Sequence, residues 1–292
     1  HLINQQTQTM RKTLFSGIAA CLLATAATAA EQSPSVIWTV GQADRSASEF
    51  ALAPDRFRDF LANDFGYEDK YFLVGHSVPA ADFPYVLPGP ADTWGGTWPT
   101  SGWRTHQINI LFGLKEIPSD GTCTLVVDLL DYAKNFLPLV KVSVNTQDAK
   151  FQLDAPGLSV ADQRKPNQME KIVDTLSITG NLAKATPRRL EIPIRPGVLK
   201  AGGNEVTITV LEGSWILFDR VSLEGPAGTN VEQPQQLFIR NIEAAPYELA
   251  DGKRRVQPLL VDLEWLEGAP ALSVELDDKE ILNQRIETGR YQ

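Results

Sequence analysis

Short β-rich segments separated by glycine and proline constrain this sequence most. Runs such as residues 36–40 and 139–144 combine β-branched and alternating apolar residues, and turn residues follow nearly every run. A helical spacing appears at residues 53–63, which predicts one short helix or a loop, and residues 176–179 add a short predicted strand. About eight to ten strands over residues 36–223 predict an all-β antiparallel sandwich or jelly roll. Strands do not alternate with helices, which excludes a Rossmann or barrel fold.

The sequence divides into three regions. Residues 1–30 contain upstream residues plus a secretory signal peptide, because Arg11 and Lys12 precede an apolar run that ends in an A-x-A cleavage pattern. Residues 31–228 form the predicted jelly roll. Four predicted strands in residues 229–292 are too few for the about seven of an immunoglobulin-like sandwich. We therefore expect a partial Ig-like β-domain, truncated, in a fragment of a longer exported protein.

The signal peptide sets the expected location and the role of the cysteines. It predicts a secreted or periplasmic protein, and the alternative is lipid anchoring at Cys21, because residues 18–21 resemble a lipobox. Ordinary cleavage leaves Cys123 as the remaining cysteine, so no intramolecular disulfide is expected and a buried thiol is predicted. Beyond the signal peptide, no apolar run approaches the roughly 20 residues needed to span a bilayer.

Charge and motif content exclude several function classes. The chain carries 27 Lys and Arg against 36 Asp and Glu, a net charge of −9, so we expect no nucleic-acid partner and, unless Cys21 is lipidated, no membrane partner. Motifs of serine hydrolases, zinc proteases and nucleotide-binding loops are absent, and His76 and His106 are the histidines that follow the signal peptide. The sequence predicts no catalytic residue, no metal ligands and no cofactor, with a structural calcium ion left open.

The segment over residues 77–103 is the candidate binding region, because a long irregular loop inside a compact domain is usually functional. Sugar rings stack their CH faces on aromatic rings, and their hydroxyls need amide, carboxylate and hydroxyl partners. The predicted carbohydrate-binding residues are Trp94, Trp98, Trp103, Tyr85, Asp82, Asp92 and His76. Alternatively, one or two of these rings fold back to close the sandwich end. Trp215 and Phe218 are expected to be buried, with Asp219 bonded to loop backbone.

Several short motifs occur in the order typical of a known family. They are VIWTVG at residues 36–41, FLVGHS at 72–77, DFPY at 82–85, GNEVT at 203–207 and GSWILFDRVSLE at 213–224. The ordered set resembles the carbohydrate-binding-like jelly-roll domain, domain III, of rhamnogalacturonan lyases in polysaccharide lyase family 4. The resemblance implies a galactose-binding-like sandwich in an exported carbohydrate-active enzyme. The catalytic lysine and histidine of those lyases belong to another domain, so no catalytic residue is carried over.

These observations lead to one predicted function and two alternatives. The predicted function is a noncatalytic carbohydrate-binding or accessory module of a secreted polysaccharide-degrading enzyme, either rhamnogalacturonan-lyase-like or a glycoside hydrolase. Its partners would be a polysaccharide or oligosaccharide and the catalytic domain of the same longer chain. The first alternative is a polysaccharide lyase acting on rhamnogalacturonan, which the acidic charge and few histidines disfavour. The second is a structural spacer that packs on a catalytic domain through the tryptophan loop.

Overall fold

Two β-sheets pack face to face around one apolar core in the structure, a computed structural model that describes residues 35–96, 105–118, 122–154, 177–276, 279–286 and 290–291. Their strands are β1 (Ser35–Gly41), β2 (Tyr71–Leu73), β3 (Val86–Leu87), β4 (Gln107–Leu114), β5 (Thr124–Tyr132), β6 (Leu139–Val144), β7 (Gln147–Gln152), β8 (Arg188–Pro193), β9 (Gly202–Glu212), β10 (Ile216–Gly225) and β11 (Val231–Glu232). One sheet has the order β1-β10-β5-β8 and the other β11-β4-β9-β6-β7. The predicted all-β jelly-roll sandwich is confirmed.

Alternation along strands such as β6 and β8 places one side in the core. In β6, Val140, Val142 and Val144 are fully buried, while the residues between them are half-buried. The register sets Val142 beside Ile208 of β9, so apolar side chains of neighbouring strands lie in rows on the inner face. Each fully buried valine contributes about 2 kcal/mol of hydrophobic stabilisation. This repeated burial is what determines which face of each sheet meets the core.

Strand β10 organises the sheet that borders the candidate site. One of its edges pairs with β5, and the other pairs with β1 at residues 220–225 and with β3 at residues 216–217. The Phe218 backbone N–H also donates to the Tyr85 carbonyl, at 2.9 Å. Phe218 is buried, and Asp219 Oδ1 accepts from the Arg45 backbone N–H at 3.0 Å, so both expectations for these residues are confirmed.

Loop segments depart most from the sequence predictions. Residues 53–63 contain two 3-10 turns, Phe57–Asp59 and Leu61–Asn63, and the binding loop begins with the short helix α1 (Pro79–Asp82). The predicted strand at 176–179 is wrong. Ser177–Thr179 is a 3-10 turn, because it buries Ile178 and brings its carbonyl to the Tyr85 hydroxyl. Among the described residues, no helix has the length and apolarity needed to cross a bilayer.

Further strands follow the sandwich, namely β12 (Leu237–Ala244), β13 (Leu249–Asp251), β14 (Arg254–Val256), β15 (Leu259–Trp265), β16 (Ala271–Leu276), β17 (Lys279–Arg285) and β18 (Arg290–Tyr291). The four predicted strands are present as β12, β15, β16 and β17, and the β13-β14 hairpin was not predicted. Arg240 of β12 forms ion pairs with Glu205 of β9 at 3.2 Å and Glu264 of β15 at 2.9 Å. The predicted domain boundary after residue 228 stays a prediction, and the predicted signal peptide with Cys21 lies outside the described residues.

Candidate functional site

A cleft lies where β5 ends and β10 begins. Its volume is about 380 Å³, which is within the range of about 300–1,000 Å³ typical of ligand pockets. We call it the Trp94 cleft, and its lining includes Phe57, Arg58, Asp92, Trp94, Lys134 and Trp215. The full lining comes from five separate segments of the chain, residues 57–58, 91–94, 133–136, 178–179 and 214–215, so the cleft exists only in the assembled sandwich.

Aromatic packing holds the central ring of the cleft. Trp94 lies in a 3-10 turn, Thr93–Gly95, and is half-buried. Its ring makes edge-to-face contacts with Phe57, at 4.9 Å between centroids and 81°, and with Phe60, at 6.4 Å and 85°. Such contacts contribute about 0.5–1.5 kcal/mol each beyond the buried area. The packed edge fixes the orientation of the indole while the rest of the ring borders the cleft.

Asp92 fixes the loop that carries Trp94. Its Oδ2 accepts from the Gly89 backbone N–H at 2.8 Å, and its Oδ1 accepts from Ser214 Oγ at 2.5 Å. The side chain is 7% exposed, and this burial raises the pKa of Asp92 from 3.8 to about 6, although hydrogen bonds from Ser214, Gly89 and Trp94 lower it. The carboxylate therefore ties the indole and the loop to the turn that precedes β10.

His106 supports the other end of the same turn. Its Nε2 contacts the Gly95 carbonyl, and the ring packs against Phe60 and Tyr67, at 5.7 and 6.3 Å between centroids. At 2% exposed the imidazole lies beneath the loop. His106 lies one residue before β4. His106 thus supports the turn that carries Trp94.

Two cations border the cleft. The Arg58 guanidinium lies over the Phe57 ring, 4.7 Å from its centroid, and the side chain is exposed. Lys134 Nζ donates to Asp131 Oδ1 at 2.6 Å and to the Tyr132 carbonyl at 2.8 Å, and burial lowers the pKa of its ammonium. These contacts hold the ammonium in a fixed position at the wall. Cations beside aromatic rings can donate hydrogen bonds to a polyhydroxylated ligand lying on those rings.

The predicted binding residues separate into three groups. Trp94 and Asp92 line the Trp94 cleft together. Tyr85 is 1% exposed, and its hydroxyl donates to the Ile178 carbonyl at 2.6 Å. Burial also raises the pKa of Tyr85 above its ordinary value. Its predicted role beside Trp94 is corrected, because the ring belongs to the core and is not among the described residues that line the Trp94 cleft.

Two of the remaining predicted residues, Asp82 and His76, lie elsewhere. Asp82 Oδ2 accepts from the Val78 backbone N–H at 2.8 Å at the start of α1, and His76 is exposed in the turn after β2. Neither is among the described residues that line the cleft. Trp98 and Trp103 lie outside the described residues, and their roles stay predictions.

Sequence reasoning missed the partners that complete the cleft. Phe57, Arg58 and Lys134 were not predicted to line a site. Trp215 is buried as predicted, at 4% exposed, and its contribution to the wall of the cleft was not predicted. A usable signal was the pairing of a cation with an aromatic residue near a strand or turn end, as in Phe57-Arg58. No group of three or more His, Cys, Asp or Glu that could hold a metal occurs among the described residues, and the calcium expectation stays a prediction.

Comparison with known proteins places the chain in a family. No curated protein matches. Among solved structures, it is similar to a family GH115 4-O-methyl-α-glucuronidase, BtGH115A, with specificity for decorated arabinogalactans, at 16% identity and a TM-score of 0.23. That similarity covers 41% of this chain and 13% of the length of the enzyme. The sequence model of one family, described as CBM-like, polysaccharide lyase family 4, domain III, matches residues 36–223. Because this match covers more than half of the chain, the protein belongs to the CBM-like family of polysaccharide lyase family 4, domain III.

Proposed function

We propose that this protein is a noncatalytic carbohydrate-binding or accessory module of a polysaccharide-degrading enzyme, with the Trp94 cleft as its sugar-binding site. The observation that carries the proposal is the half-buried Trp94 ring, fixed by Phe57 and Asp92 at the border of an open cleft. Family membership supports a carbohydrate-related role. A ring held in this way binds a sugar face without losing conformational freedom on binding.

Size and chemistry support a sugar ligand. At about 30 Å³ per water molecule, a volume of 380 Å³ accommodates about twelve water-sized groups, which is about the size of one hexose unit. The Arg58 guanidinium and the Lys134 ammonium supply donors for sugar hydroxyls. Trp98 and Trp103, in the same loop, are proposed as further stacking residues. The catalytic domain of a longer chain is the proposed partner, and export to the periplasm or medium is the proposed location.

The test is a binding titration of the full chain with pectic, mannan and arabinogalactan oligosaccharides, followed by calorimetry. We expect saturable binding that weakens about tenfold in Trp94→Ala, because loss of one stacking ring removes about 1.4 kcal/mol. Arg58→Ala, an exposed substitution, is expected to weaken binding without changing stability. Trp265→Ala removes a tryptophan of β15, outside the cleft lining, and serves as the matched control.

Two outcomes would contradict the proposal. One is the absence of binding to every oligosaccharide, and the other is binding that Trp94→Ala and Arg58→Ala leave unchanged. Ultraviolet absorbance of unsaturated products in the same samples tests the alternative that the chain is itself a lyase. Absorbance that grows with time would assign cleavage to this chain and refute the noncatalytic role.

A further inference from the structure

A second cavity, which we call the Ser177 pocket, shares a wall segment with the Trp94 cleft. The 3-10 turn Ser177–Thr179 borders both, because Ile178 and Thr179 line the cleft while Ser177 lines the pocket. The pocket has a volume of 220 Å³, and its lining includes Ser46, Pro54, Leu130, Ser177, Leu182 and Leu217. Neither the family match nor the proposed function assigns a role to it.

The walls of the Ser177 pocket are mainly carbon and are firmly placed. Leu130 of β5 and Leu217 of β10 are almost fully buried, so the neighbouring strands of one sheet hold them in position. Gly180 has a φ of +86°, and a Cβ there would lie 2.9 Å from Pro54 Cβ. A side chain at this position would therefore be strained and would crowd Pro54, another lining residue. The pocket is therefore formed by firmly packed parts of the fold.

One polar group in the pocket lacks a partner. Ser177 is 5% exposed, and its Oγ has no hydrogen-bond partner among the described groups. Leaving a buried hydroxyl without a partner costs about 1–3 kcal/mol, so such atoms in native structures usually meet a ligand or water. The Tyr85 hydroxyl, also at this pocket, is already used by the Ile178 carbonyl. Ser46 and Ser48, which also line the pocket, are joined by a hydrogen bond between their hydroxyls at 2.9 Å. Ser177 Oγ is therefore the buried hydroxyl of this lining that can receive an incoming group.

Size and charge restrict what could fill the space. At about 30 Å³ per water, 220 Å³ accommodates about seven water-sized groups, fewer than a hexose needs. None of the described lining residues carries a charge, and burying an unpaired ionised group is strongly unfavourable. We propose that the Ser177 pocket binds a small uncharged group that combines a methyl-bearing part with one acceptor oxygen, of which an acetyl ester is the simplest. The methyl packs on Leu130, Leu182 and Leu217, and Ser177 Oγ donates to the ester carbonyl.

Two sources offer this chemistry, an O-acetyl substituent of a glycan and a free short ester. The test is methyl-detected NMR of the full chain titrated with ethyl acetate, 6-O-acetylgalactose and galactose. We expect both acetyl compounds to shift the Leu182 and Leu217 methyl signals saturably and galactose to leave them unchanged. Ser177→Ala is expected to raise the dissociation constant of both acetyl compounds at least fivefold, because it removes a hydrogen bond of about 1 kcal/mol. Ser273→Ala, in β16, is the control.

The assignment of the acetyl group to a glycan rests on the proposed function, whereas acetyl binding by the pocket does not. If 6-O-acetylgalactose binds more tightly than ethyl acetate and Trp94→Ala removes the difference, the ligand is an acetylated sugar. If both bind equally, the pocket takes the free ester and the inference stands even where sugar binding fails. The proposal that the Ser177 pocket binds an acetyl group is overturned if neither ester shifts the Leu182 and Leu217 signals. It is also overturned if galactose produces equal shifts, or if Ser177→Ala binds the esters as tightly as the wild type.

Discussion

Replacing Asp92 by asparagine tests how much the buried charge at the Trp94 cleft destabilises the folded protein. Asparagine has nearly the same shape, its oxygen can accept from the Gly89 N–H, and its amide can donate to Ser214 Oγ. The substitution therefore removes the buried charge while keeping the hydrogen bonds to Gly89 and Ser214. We expect Asp92→Asn to be more stable than the wild type at neutral pH.

The magnitude follows from the shifted pKa of Asp92. Because the folded pKa is about 6 and the ordinary value is 3.8, the folded protein holds a proton that the unfolded chain releases between these pH values. This carboxyl thus supports folding most below pH 3.8, and the free energy of unfolding falls by about 3 kcal/mol as the pH rises above 6. Roughly 2 kcal/mol of that change lies between pH 4.5 and pH 7.5.

The assay is urea unfolding of both proteins at pH 4.5, 6.0 and 7.5. Other carboxyl groups contribute equally to both proteins, so they cancel in the difference between the two free energies of unfolding. We expect this difference to grow in favour of Asp92→Asn by about 2 kcal/mol from pH 4.5 to pH 7.5. Asp64→Asn, in an exposed left-handed turn that asparagine also adopts, controls for the lost charge. A difference that does not change with pH would refute the reasoning.

Substitutions at three further positions test individual stabilising contacts by urea unfolding. Tyr85→Phe should lower the free energy of unfolding by about 1–2 kcal/mol, because it removes the donor to the Ile178 carbonyl; no change would mean that this bond is not formed. Gly213→Ala should cost at least about 2 kcal/mol, because φ is +83° and a Cβ would lie 2.3 Å from a backbone oxygen; a neutral result would show that the turn can shift. Arg240→Ala should cost about 2 kcal/mol by removing the cation beside Glu264, and Arg240→Lys should restore part of it.

Strand positions follow closely from local sequence patterns. The alternation at residues 139–144 coincides with β6, and the run at residues 36–40 lies within β1. Alternation works for β6 because this strand has one face in the core and the other half-buried, so the sequence period matches the burial period. The turn at Ser177–Thr179 was missed, since its shape depends on the distant Tyr85 hydroxyl.

The site was predictable only in part, for the same reason. The loop and Trp94 follow from composition, because glycine, proline and tryptophan are concentrated there. The burial of Asp92 depends on Ser214, 122 residues away, and the burial of Tyr85 depends on the packing of β3 against β10. No local pattern carries information about contacts at such distances along the chain. Carboxylates and aromatic rings of one loop therefore look alike in sequence while some support the site and others border it.

The position of β10 has a consequence for the order in which the protein is made. This strand pairs with β1, β3 and β5. Because the chain is synthesised from the N-terminus, β10 is made about 90 to 180 residues after these partners. Until residue 225 has left the ribosome, β1 has no neighbour and one edge of β5 stays open. The sandwich must therefore close late and through distant contacts, a topology that folds slowly. A nascent chain stopped before Ile216 would leave β1, β3 and one edge of β5 unpaired and available to chaperones or proteases.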